Sequence, residues 1–238
     1  MSRIYDFKAG EVLLVDKPLT WTSFDVVNKL RYQLKHKTGI KRFKVGHAGT
    51  LDPLASGLLI VCCGKATKTI DSYMGMPKEY TGTIVLGATR SSYDMETEID
   101  QTFDFSHLTE SDIRDAVQSF LGTIEQIPPL FSAKKIEGKK AYEFARKGID
   151  LNLKPNVITI HEYEITRLEL PEIDFRVKCS KGTYIRSLAH DLGKNLGVGG
   201  YLKSLRRTAI GEHKITDASS IEEWIDIIKN NPSSEIED

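Results

Sequence analysis

The chain has 238 residues, 40% hydrophobic and 28% charged, with 33 Lys/Arg against 33 Asp/Glu and a formal net charge of zero. Such a chain is one large domain or two small ones, long enough for a full apolar core, so it is neither a stapled miniprotein nor a disordered tail. The apolar stretch 12–15 is too short for a signal core, and no run approaches a membrane span.

In chain order, EVLLVD (11–16) reads as a strand that leaves Lys17 at its end. Ser23 fits an N-cap for an amphipathic helix over 24–36. GLLIVCC (57–63) fits a buried strand, and its adjacent Cys62 and Cys63 point to opposite faces. With Cys179 the only other cysteine, neither a disulfide framework nor a metal site is expected, which suggests a reducing, cytoplasmic compartment. A helix follows at 65–74, a strand at 79–88 and a polar loop over 90–107. Thr109 caps a helix through Leu121 that Gly122 stops. A short helix is expected over 141–148, paired strands at 157–170 and 174–180 with a turn at Pro171, and a helix over 183–197. Ser220 and Glu223 form a capping box over a last helix, IEEWIDIIKN, and the tail is expected to fray. No repeat or composition break marks a boundary.

Charge is segregated although it sums to zero. Residues 29–47 carry seven Lys/Arg and no acid, and 176–207 carry eight against Asp191 alone. The acids lie in 91–126 and 208–238. A basic face for a polyanion such as RNA is one reading, and solvated helix faces are the other.

The stretch KVGHAGTLDPLASGLLIVCC (44–63) sets one acid, Asp52, among glycines ahead of a strand. Asp before Pro is common in turns. Glycines also let a substrate approach the backbone closely, with the carboxylate aimed at it as a nucleophile or base. No second acid sits in a comparable setting, so two-carboxylate glycosidase chemistry is disfavoured. In CSKGTYIRSLAHDLG (179–193), Tyr184 and Arg186 fall at a helix start that suits anions. Tyr80, near a strand start, could stack on a base.

These stretches resemble, in order, the motifs of the bacterial TruB-type tRNA pseudouridine synthases: DKPLTWTS, GHAGTLDPLASG, PPLFSAKKIEGKKAYEFAR, CSKGTYIRSLAHDLG and LKSLRR, over about 11–211. The resemblance implies isomerisation of uridine-55 in the tRNA T-loop to pseudouridine, the base being detached from its ribose, turned and rejoined through carbon. It implies an α/β (α+β type) fold with a mixed, mostly antiparallel central sheet and a cleft. By match, Asp52 is the catalytic aspartate, Tyr80 packs on the target base, and Arg186 pairs with the aspartate. Lys17 and Pro18 line the pocket, His47 assists base flipping, and Leu205 is an apolar wall. Tyr184, Lys134, Lys41, Arg42 and Lys44 complete the expected RNA contacts. Asp52 could attack the sugar carbon, attack the base, or take a ribose proton.

The chemistry is redox-neutral, so no cofactor or metal is expected, and no P-loop or metal-spaced His/Cys cluster is present. The whole chain 1–238 is expected to be a single catalytic domain. Its segment 128–148 would be a thumb-like grip, and 212–238 a short helix and tail in place of an appended PUA module. A monomeric enzyme without obligate protein partner is the expectation; an RNA chaperone without catalysis and a synthase acting on another RNA are the alternatives.

Overall fold

The structure, a computed structural model, describes residues 3–131, 135–136, 139–140 and 153–232. In chain order it has β1 (Val12–Lys17), α1 (Ser23–Thr38), β2 (Val45–His47), β3 (Ala55–Cys63), a 3₁₀ turn (Gly64–Thr69) and α2 (Ile70–Gly75). Then come β4 (Lys78–Leu86), β5 (Ala88–Arg90), β6 (Ile99–Thr102), α3 (Glu110–Gln118), β7 (Gly122–Gln126), β8 (Lys135–Ile136) and β9 (Lys139–Lys140). The described chain closes with β10 (Asn156–Glu169), β11 (Glu172–Cys179), α4 (Ile185–Asn195), β12 (Gly200–Ile210), β13 (His213–Lys214) and α5 (Ile221–Asn230). This is a mixed α/β fold whose sheet is mostly antiparallel, as the resemblance implied.

Contacts divide the chain into two compact units, 1–78 with 206–238, and 79–205. In the first, β3 pairs antiparallel with both β1 and β2 and neighbours β12. Strand β3 is buried on both faces, so its side chains alternate between two cores. Leu59, Val61 and Cys63 join Leu13 and Val15 of β1, Val26, Leu30 and Leu34 of α1, and Trp224 and Ile228 of α5. Leu58, Ile60 and Cys62 join Ala48 and Ile210 on the other face. Each such aliphatic side chain contributes about 1.5–3 kcal/mol when fully buried. Cys62 and Cys63 do face opposite ways, none of the three cysteines forms a disulfide, and burial pushes the Cys62 and Cys63 thiols up to about 11.

In the second unit the strand order is β12, β4, β11, β10, β7, with β10 antiparallel to β11 and β7. Helix α4 buries Ile185, Leu188, Ala189 and Leu192.

Several boundaries differ from the sequence reading. The cap of α1 is Thr22, whose hydroxyl accepts from the Asp25 amide while the Asp25 carboxylate accepts from the Thr22 amide. That reciprocal pair outcompetes Ser23. The 65–74 helix is a 3₁₀ turn followed by α2. The polar stretch 90–107 contains β6, paired with β5. Helix α3 ends at Gln118 rather than Leu121, and Gly122 starts β7. Tyr184 is the N-cap of α4 and not part of its first turn. The 141–148 helix, the tail 233–238 and Lys134 lie outside the described residues, as does much of the 128–148 segment.

Candidate active site

Asp52 sits, half-buried, in the loop between β2 and β3. The backbone of that loop is held at nearly every residue. The Ala48 amide donates to the Ile60 carbonyl at 2.9 Å, and the Thr20 amide donates to the Pro53 carbonyl at 2.8 Å. The buried Ser23 hydroxyl, freed from capping, takes the Leu51 amide at 2.8 Å and donates to the Leu51 carbonyl at 3.0 Å. The Ala55 amide donates to the carbonyl of Asp52 itself at 3.1 Å. Gly49 turns the chain at φ +101°, a region that favours glycine. Thr20 also lies in the left-handed region, at φ +69°, which a β-branched residue rarely adopts.

Two cations are buried beside this loop. Lys17, at the end of β1, has no exposed surface, and its ammonium donates to the carbonyls of Trp21 (2.7 Å) and Pro18 (3.0 Å). Burial lowers its pKa to about 8; the Asp52 carboxylate opposes that fall and the Arg207 guanidinium adds to it. Arg207, only 1% exposed, donates through Nε to the Leu58 carbonyl at 2.7 Å and through Nη2 to the Gly49 carbonyl at 3.1 Å. Its Nη1 reaches the Thr50 carbonyl at 3.5 Å. Burial first, and then Arg207, hold His47 below the usual histidine pKa.

The lysine makes a pH prediction. Unfolded, Lys17 keeps its proton up to about 10.5, whereas in the fold it sheds it near 8. Between those values the unfolded state binds more protons, so stability rises with pH. Relative to Lys17→Met, the wild-type chain should gain up to about 3 kcal/mol across that window. Urea melts of both chains at neutral and alkaline pH check it, and a pH-independent difference would count against a buried cation.

In the second unit Tyr80 lies in β4, 8% exposed. Arg186, in the first turn of α4, is buried and stands 3.5 Å from the Asp94 carboxylate. Its Nη1 also lies 3.4 Å from the Ser92 carbonyl. The turn carrying Asp94 is shaped by Tyr93 at φ +64°, whose ring stacks on His190 at 3.9 Å. The Gln126 side chain pins Tyr184, accepting from its amide at 2.8 Å and donating to its carbonyl at 3.0 Å. Leu205 is half-buried in β12. Thus Lys17, Pro18, Lys41, Arg42, Lys44, His47 and Asp52 belong to the first unit, and Tyr80, Tyr184, Arg186 and Leu205 to the second.

The two basic stretches prove unequal. In 176–207, Arg176, Lys178, Arg186, Lys203 and Arg206 pair with carboxylates, and Arg207 is buried. In 29–47, Lys41, Arg42 and Lys44 are exposed and form no ion pair among the described residues. Arg31, Arg42 and Lys44 line an open groove of about 390 Å³ with Phe43 and Thr67. Sequence reasoning missed Gln126 and Arg207 and gave Ser23 a capping role only; the available signal for Arg207 was a charged pair inside the otherwise strand-like LKSLRRTAI.

Residues 35–185 match the family model described as "TruB family pseudouridylate synthase (N terminal domain)", and 186–236 match "tRNA pseudouridylate synthase B C-terminal domain". A chain with this α/β frame and these matches is a pseudouridine synthase, an isomerase. The chain is 57% identical over 217 residues to tRNA pseudouridine synthase B of Flavobacterium johnsoniae, covering 91% of this chain and 95% of the relative. It is 54% identical over 224 residues to the protein of that name from Phocaeicola vulgatus, covering 93% and 95%. The chain belongs to the TruB family of tRNA pseudouridine synthases. Among solved structures it is similar to the chain in a Cbf5–Nop10–Gar1 complex, with a TM-score of 0.68 and 29% identity over 94% of this chain and 56% of that one. It is also similar to the chain in an archaeal box H/ACA sRNP Nop10–Cbf5 complex, with a TM-score of 0.65 and 27% identity over 93% and 54%. The chain thus spans about half the length of these structural relatives. Among the described residues, no helix is long and apolar enough to cross a membrane.

Proposed function

We propose that this enzyme isomerises uridine-55 in the T-loop of tRNA, with Asp52 as its catalytic carboxylate. The observation that carries the reading is the Asp52 loop itself: a single acid on a backbone tied by Ser23, Thr20 and Arg207, beside the buried Lys17 ammonium. Such a loop holds a carboxylate in one place before substrate arrives, which is where rate enhancement by positioning originates.

The target base is stacked inside a folded loop and must be flipped out, at a cost of a few kcal/mol. Tyr80 is assigned the ring on which the extruded base stacks, and Arg186, Tyr184, His47, Pro18 and Leu205 are assigned to the same substrate. Lys134 and the thumb-like 128–148 segment are assigned to gripping the hairpin. The enzyme is taken to act as a monomer in the cytoplasm. Incubation with an unmodified tRNA transcript, followed by position-resolved pseudouridine mapping, tests the reading. Pseudouridine at a different site, or none, overturns the uridine-55 assignment.

Tyr80→Phe and Tyr80→Leu divide the ring's roles. If the ring only stacks, Phe retains near-wild-type single-turnover rate while Leu loses the about 1–3 kcal/mol that base–aromatic stacking supplies. A hydroxyl that moves a proton makes Phe nearly as inactive as Asp52→Asn. Equal wild-type rates for both variants remove Tyr80 from the chemistry.

RNA affinity should fall with salt by about 0.7–0.9 log units per log unit of salt for each phosphate neutralised. Because the 176–207 cations are largely paired internally, Lys41, Arg42 and Lys44 should carry much of that slope. Neutralising all three should flatten the salt dependence and weaken binding while leaving the rate at saturating RNA nearly unchanged. An unaltered slope would return 29–47 to the status of a solvated surface.

A further inference from the structure

We propose that Arg207 is a positioning residue for Asp52, a guanidinium fork that fixes the catalytic loop by binding its main chain. The inference rests on the reading of Asp52 as the acting carboxylate.

A buried cation costs several kcal/mol unless it is paired and fully hydrogen-bonded. Among the described residues no carboxylate forms an ion pair with Arg207; its described partners are carbonyls. Its neighbour Arg206 points to the other face of β12, as strand alternation requires, and makes a two-pronged pair with Asp16 at 2.7 and 3.1 Å. Arg206 is thus an ordinary surface ion pair, whereas Arg207 delivers its charge into the chain's interior.

The carbonyls it meets are not scattered. Gly49 lies three residues before Asp52, and Leu58 lies six after it. One planar group therefore ties the segment entering the loop to the strand leaving it. A lysine carries all its donors on one nitrogen and so cannot reproduce two bonds made from separate nitrogens, Nε and Nη2, of a rigid plane. The bonds to Leu58 and Gly49 carry the argument, since 3.5 Å to Thr50 is long for a hydrogen bond.

The glycines of this region fit the same device. A Cβ on Gly57 would meet the Arg207 carbonyl oxygen at 2.3 Å and its nitrogen at 2.8 Å. Absence of a side chain there lets the β12 backbone lie against β3, which sets the reach of the Arg207 side chain. Gly49 presents its carbonyl to the fork from φ +101°.

The experiment compares Arg207→Lys, Gly49→Ala, their double variant and Asp52→Asn, each by single-turnover rate at saturating tRNA, tRNA Kd and thermal midpoint. Gly49→Ala moves the loop without bumping the fork, because its Cβ would sit an ordinary 3.7 Å from Nη1; the strain is in the backbone. Arg207→Lys is expected to lower the saturated rate by about 10²-fold, the scale of a misplaced catalytic group, with Kd within about threefold. Gly49→Ala should lower the rate in the same way, and the double variant should be no slower than the worse single, because both act through one loop. A rate for Arg207→Lys within about threefold of wild type overturns the proposal, as do additive losses or a Kd that rises as much as the rate falls. If Arg207→Lys shows no cooperative melt, Gly49→Ala decides: a lower rate at unchanged Kd supports the proposal and an unchanged rate overturns it. Wild-type turnover by Asp52→Asn would sink the reading of Asp52 and this inference with it. An inactive Asp52→Asn beside an active Arg207→Lys would sink this inference alone.

Discussion

Asp52→Asn should abolish turnover, lowering the single-turnover rate by more than about 10³-fold, since a positioned base or nucleophile is lost outright. Binding should stay within a few-fold, because the amide keeps the size and shape of the carboxylate. The loop should also keep its fold. The main-chain hydrogen bonds of Ala48, Leu51, Asp52 and Pro53 do not depend on the charge at position 52. Thermal midpoint and tRNA affinity serve as the controls. A variant with one per cent or more of the wild-type rate would show that the carboxylate is not the essential group.

Gly57→Ala should be the most damaging single methyl in the first unit. The added carbon would lie 2.3 Å from one main-chain atom of Arg207 and 2.8 Å from another, and φ there is +105°. Neither strand can retreat cheaply, because both are backbone. Overpacking and left-handed strain each cost about 1–3 kcal/mol, so a loss of about 4 kcal/mol is expected. Urea denaturation reads it as a lower midpoint. Gly39→Ala is the internal comparison: it too has positive φ, but nothing lies within 4 Å of its Cβ, so it should lose only the strain component. Equal losses at the two positions would mean that the β3–β12 approach is looser than described.

Much of the frame is legible in the residues because local signals agree with tertiary ones. The Ser220–Glu223 box starts α5 where the sequence places it, and β1, β3, β10 and β11 read from apolar patterning within about two residues. The Gly/Pro-framed Asp52 loop announces itself in the same way. What fails does so for identifiable reasons. All four residues of β6 are exposed, so its sequence carries no alternation to read. Gly122, at φ +90°, has the left-handed backbone expected of a helix stop, yet helix α3 has already ended at Gln118 and the chain runs from Gly122 straight into β7. Lys17 and Arg207 look like surface charges, because patterning counts every cation as solvated; only the fold shows main-chain carbonyls waiting for them. The evenly basic run 176–207 looked like an RNA footprint, but its partners, such as Glu162, Glu172 and Asp16, are remote in sequence and invisible to a local count.

The division of the chain has a consequence for synthesis. Residues 79–205 are one uninterrupted run, whereas the unit holding Asp52 is assembled from segments on either side of that run. A ribosome therefore finishes the second unit while the first still lacks β13, α5 and the latter part of β12. Trp224 and Ile228, which close the core over β1 and α1, and Arg207, which grips the Asp52 loop, emerge only after residue 205. Contacts between such distant segments form late, because loop-closure entropy must be overcome before they are rewarded. A chain interrupted before Arg207 would thus carry Asp52 on an unbraced loop.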